Sequence, residues 1–272
     1  MKALIKIGGS LLDDPASRNE LARQLVQAAK SGMTMTVVHG GGTQMTRFLE
    51  ERGIESRFVR GLRVTSSETI DAVLKVLAGT VNTQLVAALN AAGAKAVGLT
   101  GIDAGLAIAE QLDADLGFVG RVISSDAQLL KALTHAHYLP VIACVAGGEQ
   151  GEIYNVNGDS MAVAVASGWE ADRLVFLTDV PGVLDANKKI IPVLTIEDCH
   201  ELIESGVATG GMQAKLNAAM DAVSGGVGEV RIVKGSETNI VSRVFAGEAI
   251  GTRIVARAHE EPLMNFEAAL LQ

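Results

Sequence analysis

Short apolar runs alternate with segments of helical periodicity along the chain. Apolar runs predict buried strands, and apolar residues three and four positions apart predict helices. Strands are predicted at 3–7, 34–38, 95–99, 138–145, 173–178, 229–233 and 251–256. Helices are predicted at 17–30, 43–52, 65–89, 126–134, 159–167, 195–204 and 212–223, and a hairpin at 107–123. This alternation predicts an α/β fold whose mostly parallel strands are joined by right-handed crossovers.

Composition narrows the fold and the class of partner. Hydrophobic residues make up 48% of the 272 residues and aromatic residues only 3%, so Ala, Val, Leu and Ile must build the core. Such a core suits a sheet covered by helices on both faces. The net charge of -8 argues against nucleic acid or an anionic membrane as the main partner.

Neither the N-terminus nor the cysteines indicate export. Lys6 and the Gly8-Gly9 pair interrupt the first apolar run, which is therefore no signal peptide. No unbroken run approaches the ~18 apolar residues of a transmembrane helix. Cys144 and Cys199 match no metal-ligand spacing and are interpreted as reduced, buried thiols. These observations predict a cytoplasmic protein.

Glycine-rich turns recur where the predicted strands end. The stretches are KIGGS, HGGGT, TGID and DVPGVL after strands, and NVNGD and ATGGM before helices. Ligands of open α/β sheets bind at the carboxyl ends of the strands, and helix N-termini there favour anions. One such turn is explained equally well by a tight bend, but several together favour an anion site. The G-x-G-x-x-G and G-x-x-x-x-G-K-[ST] patterns are both missing, so another phosphate-binding scaffold is expected.

Charged residues stand beside these turns. Lys6 lies in an apolar strand, which is costly unless it meets a negative charge, although a snorkelling lysine on an edge strand is the alternative. Lys215 lies one turn into a predicted helix, where a cation near the N-terminus needs an anion unless it is simply solvated. Asp159 fits a helix N-cap as well as a functional carboxylate. Arg63, in a loop before the Thr65–Glu68 capping box, is uninformative alone.

Taken together, these stretches resemble the amino-acid kinase family, and within it the members that phosphorylate N-acetylglutamate. From Lys6 to Ile254 the matching motifs are KIGGSLL, VVHGGGTQ, GLRVT, AVGLTGID, DLGFVG, HYLPV, NVNGD, LTDVPGVLD, TGGMQAKLNAAMDAV and GTRI. The resemblance implies a three-layer α/β/α sandwich of the carbamate kinase-like type. It further implies an acyl-amino-acid lobe at 1–172 and an ATP lobe at 173–257, with a tail at 258–272.

The resemblance also implies an ATP-dependent phosphotransferase of arginine biosynthesis. The γ-phosphoryl group of ATP would pass to the side-chain carboxylate of N-acetyl-L-glutamate, with Mg²⁺ bound mainly through ATP and no metal site built from protein residues. Lys6 and Lys215 would stabilise the transferring group, and Asp159 would orient both lysines. The implied acyl-amino-acid ligands are Gly41, Gly42, Arg63 (for the α-carboxylate) and Asn155. The implied ATP-binding residues are Gly8, Gly9, Asp179, Val180, Pro181, Gly182, Val183, Leu184, Val207, Ala208 and Thr209.

Two departures from the family pattern leave alternatives open. Gly158 stands where the family motif usually has Ala, and glycine there is similar to kinases of lysine biosynthesis that phosphorylate carrier-bound aminoadipate. A non-catalytic sensor on the same fold is another alternative, but it could lose the two lysines or Asp159, all of which are present. The second departure is the THAHY segment at 134–138, which replaces the usual small-residue turn; its His135 and His137 fit a helix end before a strand better than a metal pair.

Assembly is predicted from the long helix at 65–89. In the resemblance this helix lies at a dimer interface, and Val73, Val76, Leu77 and Thr80 share its helical spacing, although an ordinary core face fits equally well. Arginine-inhibited members carry an extra helix before the first strand, which here begins by Ala3. We therefore expect a homodimer that is insensitive to arginine.

Overall fold

The computed structural model describes residues 1–257; the predicted tail at 258–272 lies outside the described residues. The strands are β1 (Lys2–Ile7), β2 (Thr34–His39), β3 (Phe58–Val59), β4 (Leu62–Arg63), β5 (Ala96–Thr100), β6 (Ile108–Gln111), β7 (Val119–Ser124), β8 (Leu139–Ala143), β9 (Val145–Gly147), β10 (Ile153–Val156), β11 (Arg173–Thr178), β12 (Val193–Thr195), β13 (Glu229–Lys234) and β14 (Thr252–Val255). The α-helices are α1 (Pro15–Lys30), α2 (Gly42–Glu50), α3 (Ser67–Val73), α4 (Asn82–Ala91), α5 (Gln128–His135), α6 (Gly158–Gly168), α7 (Ile196–Glu204), α8 (Gly210–Ser224) and α9 (Ile240–Phe245).

The central sheet runs in the order β12-β14-β13-β11-β1-β2-β8-β5. Its neighbouring strands pair in parallel except β13 and β14. Leu4 packs in a core cluster with residues of α6 and α8, whereas Ile5 packs in a second cluster with residues of α1, α4 and α9. Successive side chains of β1 thus enter opposite layers, as strand geometry requires. This arrangement confirms the α/β/α sandwich with a mostly parallel sheet.

Two smaller units extend from the carboxyl edge of this sheet. The short strands β10, β7, β6 and β9 close into a small barrel, and β9 follows β8 after one residue, Cys144. The β3–β4 hairpin turns through Arg60 and Gly61, whose φ angles of 49° and 78° are typical of a tight two-residue hairpin turn. Thr65 bridges to Gly117 and so ties the hairpin to the barrel. The hairpin is thereby held beside the glycine turns.

The structure corrects two predicted helix caps. Ser66, not Thr65, caps α3 by accepting a hydrogen bond from the Thr69 amide. Asn157, not Asp159, caps α6, because its side-chain oxygen accepts from the amides of the two residues that follow Gly158. In both cases the sequence offers two adjacent or nearly adjacent capping residues, and the backbone path selects between them.

Some elements were not predicted. The strand expected at 138–145 is broken at Cys144, and β10, β12 and α9 are too short to give a clear periodic signal. Between α3 and α4 the long helix takes a π-helical form at Leu74–Val81. A π-helical turn needs a local change in backbone hydrogen bonding that the spacing of apolar residues does not reveal.

The long helix Ser67–Ala91 is, among the described residues, the one with the length and composition of a membrane span. Its most apolar 18-residue window has a mean hydropathy of 1.5, and half of that window is buried inside the chain. A core helix passes the same test, so this is weak evidence for a membrane. Val73, Val76 and Leu77 are buried in the chain's own core, which favours the core-face interpretation of their spacing.

Candidate active site

An acidic side chain joins two lysines at the carboxyl edge of the sheet. Lys6 Nζ lies 2.7 Å from Asp159 Oδ1, and Lys215 Nζ lies 3.1 Å from Asp159 Oδ2. The three side chains are only 11%, 10% and 19% exposed for Lys6, Asp159 and Lys215. Three residues from β1, α6 and α8 thus form one ion-pair cluster, and the edge-strand and solvated-helix alternatives for the two lysines do not hold.

The cluster carries an excess of positive charge. Burial by itself raises the pKa of the Asp159 carboxyl, but the charges and hydrogen bonds of Lys6 and Lys215 outweigh it, and the pKa is lowered from its ordinary value. The carboxyl is therefore ionised at neutral pH. One carboxylate then faces two ammonium groups, and a buried excess cation is costly without a further anion. The cluster suits an anionic ligand.

Local sequence explains how the three groups meet. The cap formed by Asn157 places Asp159 in the first turn of α6, where a carboxylate is favoured by the helix dipole. Gly210 takes a φ of 53° as it opens α8, a conformation that suits glycine. Lys215 follows in the second turn of α8, and Lys6 lies near the carboxyl end of β1.

The glycine turns after β1 and β2 touch each other. A Cβ atom on Gly9 would lie 2.8 Å from Gly41 Cα and 2.9 Å from the amide nitrogens of Gly41 and Gly42. A Cβ atom on Gly41 would lie 2.4 Å from a methyl carbon of Leu77. A side chain is excluded at Gly9 by the backbone of the facing turn, and at Gly41 it would collide with the Leu77 side chain. The turn at Gly8-Gly9, predicted to bind ATP, and the turn at Gly41-Gly42, predicted to bind the acyl amino acid, therefore lie side by side.

A cavity of about 180 Å³ brings together the four predicted acyl-amino-acid ligands. Its lining includes Gly41, Gly42, Arg63 and Asn155. Apolar walls come from the side chains of Met45, Phe58, Leu62, Val73, Leu77 and Val119. A small cavity with an apolar wall and a few convergent polar groups is typical of a ligand site.

Arg63 is a nearly buried cation in this cavity, 9% exposed. Its guanidinium donates to Thr46 Oγ1 at 2.7 Å, to the Gly42 carbonyl at 3.2 Å and to Ser56 Oγ, and it lies 4.6 Å from the centre of the Phe58 ring. Burial lowers the pKa of Arg63. Within residues 1–257 no carboxylate forms an ion pair with it. The site therefore suits a ligand that brings its own carboxylate.

The predicted ATP-binding residues of the second lobe lie in two loops. One loop, 179–184, follows β11, and the other, 207–209, precedes α8. Val183 and Ala208 are buried in the same core cluster, whereas the side chains of Leu184 and Val207 are 36% and 38% exposed. Exposed apolar side chains in these two loops are compatible with an adenine-binding face, and the contact with a nucleotide stays a prediction.

Sequence reasoning missed two residues of the site. Asn157 lines the acyl cavity and also a larger neighbouring groove beside α6 and α8. Cys144 lines the cavity opposite Gly158. A Cβ atom added to Gly158 would lie 3.3 Å from Cys144 Sγ and 3.2 Å from Lys6 Cε. The position of Asn157 two residues before Asp159 was the available signal. For Cys144 there was none, because a buried thiol usually signals only packing.

The histidine pair behaves as a helix end. His135 is the last residue of α5, and His137 has a φ of 60° in the turn that leads to β8. Across the described part of the chain, no group of three or more His, Cys, Asp or Glu side chains could hold a metal ion.

The fold and the site define a class of α/β/α sandwich proteins with two touching glycine turns at the carboxyl edge of the sheet. The chain belongs to the amino acid kinase family, whose sequence model matches residues 1–234. It is 59% identical to a protein of Solibacter usitatus (strain Ellin6076) named acetylglutamate kinase, over 94% of this chain and 99% of that one. The resemblance found from the motifs is thereby confirmed.

Solved structures agree on the fold. N-acetylglutamate synthase from Neisseria gonorrhoeae, complexed with coenzyme A and N-acetyl-glutamate, superposes with a TM-score of 0.85 at 24% identity. The match covers 94% of this chain and 60% of the synthase chain. Carbamate kinase from Giardia lamblia bound to AMP-PNP superposes with a TM-score of 0.71 at 16% identity, covering 94% and 98% of the two chains. The carbamate kinase-like type of sandwich is confirmed.

Proposed function

We propose that the chain acts as an acetylglutamate kinase, which transfers the γ-phosphoryl group of ATP to the side-chain carboxylate of N-acetyl-L-glutamate. The observation that carries the proposal is the Lys6–Asp159–Lys215 cluster beside a cavity whose buried Arg63 has no carboxylate partner among residues 1–257. The relative at 59% identity carries that name over nearly its full length. The product would be an acyl phosphate of the arginine pathway.

The reaction requires the protein mainly to position the two substrates and to neutralise charge on the transferring phosphoryl group. A carboxylate is already a nucleophile at neutral pH, so that no general base is needed. Two anions must instead be held in line while charge on the transferring group is neutralised. Lys6 and Lys215 would supply cationic donors, and Asp159 would hold both ammonium groups in place. The touching turns at Gly9 and Gly41 would add backbone amides.

Within this proposal, the two substrates occupy opposite sides of the glycine turns. Arg63 would bind the α-carboxylate of the acyl amino acid, and Gly41, Gly42 and Asn155 would complete its site. Residues 1–172 would form the corresponding lobe and residues 173–257 the ATP lobe, with Gly8, Gly9 and the loops 179–184 and 207–209 facing the nucleotide. Mg²⁺ bound mainly through the ATP phosphates and water would offset their charge, which fits the lack of a carboxylate cage in residues 1–257.

The test is ATP turnover with a panel of acceptors: N-acetylglutamate, glutamate, aspartate, carbamate and aminoadipate. N-acetylglutamate is expected to give the highest kcat/KM, and trapping with hydroxylamine should detect its acyl phosphate. Preference for free glutamate or for carbamate would overturn the proposal. Turnover of aminoadipate alone would point to the lysine-pathway alternative suggested by Gly158.

Arg63→Ala should raise KM for N-acetylglutamate about 10- to 150-fold, with a much smaller change for ATP. The expected loss corresponds to ~1.5–3 kcal/mol for a hydrogen bond to a charged partner. Initial rates with each substrate varied in turn give both KM values. Arg57→Ala is the matched control, because Arg57 is an exposed arginine just before the hairpin. Equal changes in the two KM values would place Arg63 outside the acyl site.

A homodimer is also part of the proposal. β5 is an edge strand of the central sheet, and its residues are half-buried or exposed. Uncovered sheet edges of this kind are sites of pairing between chains. Light scattering is expected to give about twice the chain mass of 28.3 kDa at working concentration. The mass of a monomer or of a hexamer would contradict this prediction.

A further inference from the structure

His39 ends β2 immediately before the Gly40–Gly42 turn, and its side chain is completely buried. Burial lowers the pKa of His39 to about 4, so the ring is neutral at pH 7. A neutral imidazole carries one N–H donor and one acceptor nitrogen. Which nitrogen holds the proton therefore depends on the partner of each.

The partners of His39 select one tautomer. Nδ1 lies 2.9 Å from the carbonyl oxygen of Gly40, which can only accept, so Nδ1 carries the proton. Nε2 lies 3.0 Å from Asn82 Nδ2 and accepts from it, while the same amide group donates to the Val141 carbonyl at 3.0 Å. Cys144 Sγ donates to the His39 carbonyl at 2.9 Å. Every polar group of the histidine side chain is thus satisfied inside the core.

The bond to Gly40 orients a peptide group of the proposed site. In a trans peptide the C=O of one residue and the N–H of the next point in opposite directions. Because the Gly40 carbonyl is held towards the His39 ring, the Gly41 N–H is directed away from it. The Gly41 nitrogen is one of the atoms that a Cβ on Gly9 would approach to 2.9 Å. The nitrogen of this amide therefore lies where the two glycine turns meet.

Asn82 is fixed from the far side by the edge strand. A Cβ atom on Gly98 in β5 would lie 2.1 Å from Asn82 Oδ1, so glycine is required for Asn82 to keep its position. Asn82 is also the first residue of α4, directly after the π-helical segment. A buried polar chain thus connects Gly98, Asn82 and His39 to the Gly40–Gly41 peptide.

We propose that His39 and Asn82 are a pair of positioning residues, which fix the direction of the Gly40–Gly41 peptide and thereby aim the Gly41 N–H at the transferring phosphoryl group. The inference rests on the proposed kinase function for the nature of the ligand. Neither side chain contacts the substrates. Their effect is expected in kcat, because an amide aimed at charge that develops in the transition state accelerates the reaction without tightening substrate binding.

The tautomer is tested without any activity measurement. Nitrogen-15 NMR of the ring nitrogens should show His39 neutral and protonated on Nδ1 at pH 7. A ring protonated on Nε2, or a charged ring, overturns the inference. If the wild-type chain phosphorylates no member of the acceptor panel, the proposed function fails, and the NMR result still decides the tautomer.

Two matched variants test the effect on rate. The amide of His39→Asn overlies Nδ1 and can keep the bond to Gly40, whereas that of His39→Gln overlies Nε2 and keeps only the bond to Asn82. We expect His39→Gln to lower kcat about tenfold or more, with both KM values within about threefold of wild type. His39→Asn should stay within about threefold in kcat. Equal losses in the two variants overturn the inference.

A remote variant and a stability control complete the test. Gly98→Ala should displace Asn82 and break its bond to His39 while the bond from His39 to Gly40 remains. Its loss in kcat should therefore match that of His39→Asn and stay well below that of His39→Gln. Val244→Ala, in the buried face of α9, should lower the urea midpoint through a core cavity and leave kcat unchanged. The inference fails if Val244→Ala lowers kcat as His39→Gln does at an equal loss of stability, or if Gly98→Ala lowers kcat as far as His39→Gln does.

Discussion

Lys6→Ala and Lys215→Ala are each expected to lower kcat by at least ~10²-fold, while the variants stay folded. Each lysine would supply a cationic donor to the transferring phosphoryl group, and removing one such donor typically costs about 10²–10³ in kcat. Steady-state rates at saturating ATP and N-acetylglutamate give kcat directly. Circular dichroism and a urea transition show whether the fold is kept.

The variant that lacks both Lys6 and Lys215, together with a control variant, tests the same roles further. Lys6 and Lys215 share Asp159, so their effects are coupled, and the loss in the double variant should fall short of the product of the single losses. Lys2→Ala is the control on the same strand, because Lys2 pairs at the surface with Glu170 at 3.6 Å. Near-normal kcat in a folded Lys6→Ala or Lys215→Ala protein would contradict the role of that lysine as a donor to the transferring phosphoryl group.

The sheet was predictable because its strands are nearly continuous apolar runs. Residues 3–7, 34–38 and 173–178 were predicted within one residue of β1, β2 and β11. Buried parallel strands have this signature, and helices on both faces supply the alternation. The elements missed, such as β10 and α9, owe their place to long-range packing, which no local pattern encodes.

The site was predictable wherever a residue broke the local rule. A lysine in a buried strand costs desolvation free energy, and glycines at strand ends cost backbone entropy. Both features are therefore unexpected without a function, and they indicated Lys6 and the glycine turns. Asn157, His39 and Asn82 break no such rule, since an asparagine cap and buried, hydrogen-bonded polar groups are ordinary features. The place of His39 and Asn82 follows only from three-dimensional neighbours, and for Asn157 the one available signal was its position two residues before Asp159.

Asp159→Asn is expected to lower kcat without raising KM for ATP. The substitution keeps the size of the side chain but leaves Lys6 and Lys215 without their carboxylate. Loss of the group that holds both ammonium groups should lower kcat by at least ~10²-fold. KM for ATP should stay the same or fall, because a negative charge beside the phosphates has been removed. A large rise in KM for ATP with unchanged kcat would contradict the positioning role.

The same variant should change how stability depends on pH. Since the pKa of Asp159 is lowered in the folded state, its contribution to the free energy of unfolding is fully present above the unfolded pKa of about 4. The contribution is lost as the pH falls through the folded pKa. At pH 7 the loss of one partner of a buried ion pair corresponds to ~3–5 kcal/mol.

Urea unfolding of wild type and Asp159→Asn, followed from pH 7 to pH 3, measures this difference. The gap between the two free energies of unfolding should be constant from pH 7 to about pH 5 and should narrow below about pH 4. Asp221→Asn is the matched control, an exposed aspartate of α8 on the neighbouring groove. It should show no such gap, because among residues 1–257 its carboxylate joins no ion pair. A gap for Asp159→Asn that widens towards acid pH would mean that burial, rather than the two lysines, controls this carboxyl.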